Sequence, residues 1–482
     1  MSNFYIFAFG GTGCRVLKSL TMLLAAGVEC KADTIIPIVV DSDAANADLY
    51  ETNIVVNDYI KINAQIPKLN NKNSNCFFGA NMAFFDHSLF KNLKDSDGVF
   101  WGYLKRNEMT RSNKALIDAL FSKDEQSFKM NQGFLGNSSM GSVVLNQLEA
   151  EEWYKNFTRS IQKEDKVFIV SSIFGGTGAS GLTLLLKTLR MQNEQVYNWS
   201  LVNNATIGAV VLLPYFKVQD TNKVFIEKTK VSLSYYRSFD KELDAMYYIA
   251  DNLYKKYERH EGGDKQTNPA HFVELAAALA ILDFANGPIV RDPANPTTVY
   301  KEFGIKPSES VQPDGTTTVN DCKEMSFADM SDKTNEYLKK PLSQLFLFRK
   351  YLKEVFPKQN THQPWSHNYP WKKSKNYDEQ FMKSESMKVF LGFLDLYYTW
   401  LDEMYHGQER KFHPFVMDGE EGQAMDFVRY VKSKRSRRYR QWAWMDNELN
   451  KQIRRIPKEL SKTEAFFELF YRATESFVNT LI

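Results

Sequence analysis

Two short glycine-rich stretches, each directly behind an apolar run and directly ahead of a helical repeat, restrict what this chain can fold into more than any other feature. Gly10-Gly11-Thr12-Gly13 follows the run 5–9 and opens a segment in which Val16, Leu17, Leu20, Leu23 and Leu24 keep helical spacing. Gly175-Gly176-Thr177-Gly178-Ala179-Ser180-Gly181 follows the run 167–173 and opens a helical pattern over 182–189. Two more strand-like runs lie at 35–40, ending in Asp41-Ser42-Asp43, and at 207–213, stopped by Pro214. Near-continuous apolar strands alternating with helices predict an α/β fold, a parallel sheet with helices on both faces. Ligands of such sheets bind outside the carboxyl ends of the strands, where both loops fall.

Glycines at a strand-to-helix turn let backbone N–H groups approach an anion, and the helix N-terminus adds partial positive charge. The first loop is not a dinucleotide fingerprint, because Val16 stands where a third glycine belongs; the second is not a Walker loop, because Gly181 is followed by Leu182-Thr183. Without a loop lysine, neutralising a phosphate falls to backbone N–H groups, hydroxyls and a metal ion. Two such loops predict a nucleotide held between them. The structural alternative is a pair of tight turns.

The second loop resembles the glycine-rich signature of the tubulin/FtsZ superfamily, with Phe174 in place of its first glycine. Four other pieces are similar in the same order: Phe9-Gly10-Gly11-Thr12-Gly13-Cys14, Val39-Val40-Asp41-Ser42-Asp43-Ala44, the stretch 132–141 around Gly136-Asn137, and Ala209-Val210-Val211-Leu212-Leu213-Pro214-Tyr215. The resemblance covers roughly residues 1–285. It implies that Gly10, Gly11, Thr12, Gly13, Cys14, Gly175, Gly176, Thr177, Gly178 and Ala179 cradle phosphates and that Gly136 and Asn137 approach the terminal one. Asp41 or Asp43 would order Mg²⁺ through water; the alternative for Asp43 is a helix N-cap. Gln219 or Asp220 would meet the ribose, and Phe272 would stack on the base with Asn268 or His271 at its edge. For Phe272 the alternative is a core aromatic. The bound nucleotide would be GTP or GDP, with ATP not excluded. The family hydrolyses GTP across a subunit boundary, and Ile281-Leu282-Asp283-Phe284-Ala285-Asn286 resembles the loop that carries its catalytic acid. Asn286 replaces the second acid there, and Phe272 lies closer to Asp283 than the family's long helix implies. The catalytic acid is thus Asp283 or one within 287–304, such as Asp292.

Composition agrees with a globular chain: 482 residues are 43% hydrophobic and 25% charged, and 61 Lys+Arg against 58 Asp+Glu leave a net charge of +3. Cys14, Cys30, Cys76 and Cys322 form no Cys-x-x-Cys pair, which excludes a zinc ribbon and fits a reducing cytoplasm. No leader pattern and no run of about 18 apolar residues is present, so membrane insertion is not expected.

The expected organisation is a nucleotide-binding domain over 1–286 carrying an insertion at 59–131 with a helix near 113–120, an irregular linker at 287–321, and a mainly helical C-terminal region over 322–482. Within the last, helices are expected at 338–356, Glu385–Tyr405 and 463–481. The final one is densely apolar and suits packing on the body or on a partner. Residues 429–455 hold ten Lys/Arg against two acids, which suits a solvated helix face or an anionic partner such as nucleic acid. Three functions follow: a GTPase that self-associates head to tail into filaments, a non-polymerising nucleotide sensor that recruits a partner through its C-terminal helices, and a Rossmann-like oxidoreductase. The last leaves residues 175–181 unexplained.

Overall fold

Seven strands, β1 (Asn3–Phe9), β2 (Thr34–Asp41), β3 (Phe90–Asn92), β4 (Lys166–Ser172), β5 (Thr206–Leu212), β6 (Ala245–Ile249) and β7 (Val299–Phe303), pair in the order β3-β2-β1-β4-β5-β6-β7, all parallel. The computed structural model describes residues 2–66, 76–93, 98–131, 133–134, 136–215, 217–218, 222–251, 256–257, 268–303, 308–311, 317–320, 324–359, 363–367, 377–406, 410–415, 417 and 442–481. β1 sits between β2 and β4, with Phe4 opposite Ile35 on one side and Lys166 on the other. Its side chains alternate with the pleat. Phe4, Ile6 and Ala8 enter one core, and Tyr5, Phe7 and Phe9 enter the other. A strand buried on both faces carries a near-continuous apolar run, which is why the central parts of β1, β4 and β5 read so plainly in the sequence.

Helices α1 (Gly10–Ala25), α2 (Ala47–Asn63) and α8 (Phe272–Asn286) belong to the first core. α4 (Ser138–Leu145), α5 (Glu152–Ser160) and α6 (Gly176–Arg190) belong to the second. α3 (Arg111–Leu120) is the helix expected near 113–120, and α7 (Asn222–Tyr236) follows β5. The C-terminal helices α9 (Asp332–Lys350), α10 (Glu385–Tyr405), α11 (Trp442–Gln452) and α12 (Lys462–Leu481) continue the first core outward. Phe77 stacks on Phe348 with centroids 5.4 Å apart, and Phe78 meets Phe393 edge-on at 4.9 Å. Trp400 Nε1 donates to Ser19 Oγ at 3.1 Å, giving a buried hydroxyl of α1 its partner. Phe466, Phe467, Phe470 and Phe477 of α12 are all buried against this body. The apolar face of the last helix therefore packs within the chain and is not offered to a partner.

Two boundaries differ from those read in the sequence. α2 runs on to Asn63, and within 59–131 the short strand β3 joins the edge of the main sheet beside β2. Three residues carry too little alternation to be recognised as a strand. Past residue 286, β7 extends the sheet inside the stretch read as an irregular linker. Its sequence, Val-Tyr-Lys-Glu-Phe, is that of an edge strand with charged side chains, and Tyr300 is exposed. The strands Ser308–Val311 and Thr317–Asn320 then pair antiparallel.

Candidate nucleotide-binding site

The strand order reverses between β1 and β4, so the loops leaving their carboxyl ends face each other across the switch point of the sheet. These are the two glycine loops. Gly10 has φ +71°, a conformation glycine adopts without cost, and a Cβ on it would lie 3.6 Å from Thr177 Cβ and 3.9 Å from Gly178 N. Gly178 packs so closely on β4 that a Cβ would come within 2.5 Å of Ser172 Oγ and 2.8 Å of the Ser172 carbonyl oxygen.

α1 and α6 begin here, at Gly10 and Gly176, and neither has a side-chain cap or an acid in its first turn. Two sets of first-turn N–H groups and two helix dipoles converge on one place, an arrangement that favours an anion. Thr12 and Thr177 are buried in these turns. Cys14 is fully buried, burial pushes its thiol well above the ordinary range, and its carbonyl accepts from Thr52 Oγ1 at 3.0 Å, so its side chain belongs to the core. Ala179 is buried too, with its carbonyl accepting from Tyr236 Oη at 3.2 Å.

Asp41, at the end of β2, accepts from Thr177 Oγ1 at 3.0 Å and so bridges to the second loop. Burial, partly offset by that bond and reinforced by Asp43, pushes its carboxyl up to about 6. Asp43 accepts from Ala45 N at 3.1 Å, while the N-cap of α2 is Asn46, which accepts from the Asp48 and Leu49 N–H groups. The capping role considered for Asp43 thus falls to Asn46. Between the two acids, Ser42 Oγ is buried with no hydrogen-bond partner among the described residues.

These residues fit a phosphate group with a hard cation: orphan N–H groups, a buried hydroxyl lacking a partner and two carboxylates beside them. Among the described residues no cluster of three His, Cys, Asp or Glu forms a metal cage. Mg²⁺ suits the site in the mode that uses one or two carboxylates together with phosphate oxygens.

Gly136 and Asn137 lie next to the second loop. Gly136 has φ +75° and faces the Phe174 carbonyl. Asn137 caps α4, accepting from Ser139 N and Met140 N at 3.1 Å each, and donates to Glu125. Gln219, Asp220, Gln132 and Leu135 lie outside the described residues, as do 429–441 of the basic run.

Phe272 is buried, its ring 5.6 Å from Phe412 of the C-terminal region, a core position rather than an open stacking face. The aromatics that border the loop are Phe174, Tyr215 and His271, with centroids 5.9 Å and 4.9 Å apart in succession. His271 caps α8: its Nδ1 accepts from Val273 N at 3.1 Å, and burial holds the imidazole below its ordinary pKa. Asn268 N donates to Asp48 Oδ1 at 3.5 Å.

An ion network beneath the first loop has no counterpart in the sequence reading. Arg15, 7% exposed, donates from Nε to Glu274 at 2.6 Å, from Nη1 to Asp48, and from Nη2 to Tyr215 Oη at 3.1 Å and Thr12 Oγ1 at 3.3 Å. Tyr215 Oη in turn donates to Glu274 at 3.0 Å. Burial opposes the charge on Arg15, but Tyr215, Asp48 and Glu274 outweigh it and hold it protonated. The signal available in sequence was a pair of cations, Arg15 and Lys18, one turn apart on the first helix.

Asp283 lies in the last turn of α8, and α8 starts at the candidate site and runs away from it over 15 residues, about 22 Å. Lys166, the first residue of β4, reaches the Phe284 and Gly287 carbonyls, so this end of α8 lies at the amino edge of the sheet. Asp283 accepts from Tyr247 Oη at 2.6 Å and pairs with Lys301. Burial raises its carboxyl, yet the bonds from Lys301 and Tyr247 prevail and hold it below the usual range. Asp292 accepts from Ala294 N and Asn295 N in a turn.

No protein-family model and no curated protein matches the chain. Among solved structures it is similar to CetZ from Methanosaeta thermophila strain DSM 6194, at 15% identity and TM-score 0.29 over 52% of this chain and 46% of that one. It is similar to CetZ2 from Haloferax volcanii, described as a GTPγS-bound protofilament, at 14% identity and TM-score 0.30 over 61% of each chain. A third is the helical model of the TubZ-Bt two-stranded filament, at 12% identity and TM-score 0.26 over 83% of this chain and 79% of that one. The chain thus spans about half the length of the first and less than two thirds of the second.

Proposed function

We propose that this chain is a tubulin/FtsZ-like protein that binds a guanine nucleotide with Mg²⁺ at the carboxyl edge of its sheet and self-associates head to tail in a nucleotide-dependent way. The observation that carries the reading is the meeting of two uncapped, glycine-opened helices at the switch point, with Asp41 bonded to Thr177 at the head of the second. In this reading the N–H groups of residues 10–13 and 175–178 hold the phosphates, Asp41 and Asp43 hold Mg²⁺ through water, and the cation offsets phosphate charge. The five ordered sequence pieces favour GTP over ATP. The placement of Asp283 at the opposite edge of the sheet supports a shared site, since heterologous contacts that do not close make filaments. No described helix is long and apolar enough to cross a membrane.

A second reading is favoured by one observation: Asp283 is already engaged by Lys301 and Tyr247 within its own subunit. A chain that keeps this pair binds nucleotide without hydrolysing it and acts as a sensor. Sedimentation with GTP, GDP and ATP in Mg²⁺, with phosphate release followed across protein concentrations, separates the two. Pelleting with GTP and turnover per subunit that rises with concentration support the filament reading. Tight binding with neither pelleting nor release replaces it with the sensor.

A further inference from the structure

We propose that Lys228 reads the terminal phosphate of a bound nucleoside triphosphate and so lets the site distinguish triphosphate from diphosphate; this rests on the nucleotide reading above. Lys228 lies on α7 and its Nζ donates to the Gly136 carbonyl at 3.4 Å. That carbonyl belongs to the turn beside the second glycine loop, where a Cβ on Gly136 would lie 3.6 Å from the Phe174 carbonyl oxygen. Phe134, at the start of the same turn, packs onto Gly176 so tightly that a Cβ there would come within 2.6 Å of it. The ammonium is thereby tethered to the turn that borders the N-terminus of α6.

Charge balance gives this lysine its meaning. The second loop has no Walker lysine, Asp41 and Asp43 add negative charge, and the guanidinium of Arg15 is committed to Asp48 and Glu274. Lys228 is exposed, and its hydrogen bond among the described residues is to a neutral carbonyl. Exchanging that carbonyl for a phosphate oxygen converts a long, weak bond into a short, charge-assisted one, and a lysine stem is flexible enough to make the exchange. A diphosphate, one group shorter, leaves Lys228 on Gly136. Because Lys228 is on α7, the exchange also ties the position of that helix to the state of the nucleotide.

The test is the ratio of GTPγS to GDP affinity, by calorimetry in Mg²⁺, for the native chain, Lys228→Ala, Lys228→Arg and Lys230→Ala. Lys230 is an exposed control two residues along the same helix. The expected result is that Lys228→Ala lowers the ratio about tenfold, equivalent to about 1.4 kcal/mol, with GDP affinity changed less than about twofold. Lys228→Arg restores most of the ratio, and Lys230→Ala leaves it unchanged. An unaltered ratio in Lys228→Ala, or an equal loss in Lys230→Ala, overturns the role of Lys228 while leaving the nucleotide reading intact. Failure of the native chain to bind either nucleotide overturns both.

Discussion

Replacing Arg15 by methionine tests whether the buried ion network holds the candidate site together. The substitution keeps most of the side-chain volume but leaves Asp48 and Glu274, each under 5% exposed, without their cation. Removing one member of a buried ion pair costs about 3–5 kcal/mol, mostly through the charge left behind. Unfolding entropy of about 2.1 cal/mol/K per residue over 482 residues gives about 1.0 kcal/mol/K, so melting as one unit should fall by about 3–5 °C. The same loss loosens Thr12 and Tyr215 together, so nucleotide affinity should fall with stability. Calorimetric melting of Arg15→Met and of the triple variant Arg15→Met/Asp48→Asn/Glu274→Gln tests the cause. If stranded charge is responsible, neutralising the two acids recovers much of the loss. A shift below about 1 °C, or a triple variant less stable than the single one, refutes the reasoning.

Asp41 gives a pH dependence whose sign can be worked out. Its carboxyl is raised from 3.8 to about 6 in the fold, so the ionised form disfavours folding above that pH and the penalty is relieved as pH falls from about 6 toward 4. Asp41→Asn should therefore melt roughly 1–3 °C above the native chain at pH 7.5 without nucleotide, the gain vanishing near pH 4, and should lose Mg²⁺-dependent nucleotide affinity in titrations. Gly178→Ala places a methyl against Ser172 and should displace the turn, lowering nucleotide affinity at least tenfold by calorimetry. Asp283→Ala frees Lys301 and Tyr247; under the shared-site reading it abolishes phosphate release while nucleotide affinity stays within about twofold, and release that persists excludes Asp283 as the trans-acting acid.

Much of this architecture could be read from the chain alone because its central strands are buried on both faces. Residues 5–9, 167–170 and 207–213 are apolar because both faces of their strands are buried, and glycine follows β1 and β4, where a helix starts directly against the sheet. The order of the two glycine loops was legible for the same local reason: each loop is contiguous in sequence. Edge strands β3 and β7 were not legible, because each has only one strand neighbour, and β7 reads as charged loop.

Tertiary structure alone decided which residues meet. Arg15, Asp48, Tyr215 and Glu274 are scattered over 259 positions and converge because α1, α2, the turn after β5 and the head of α8 share one corner of the sheet. The same folding buried Phe272 against Phe412, brought Phe174, Tyr215 and His271 into one row, and gave the cap of α2 to Asn46. It also turned the apolar face of α12 inward. Local pattern determines strand, helix and loop because it acts through neighbours in sequence. Ion pairs, aromatic contacts and the partner of a hydroxyl depend on distances between segments, and those exist only once the sheet has ordered its strands.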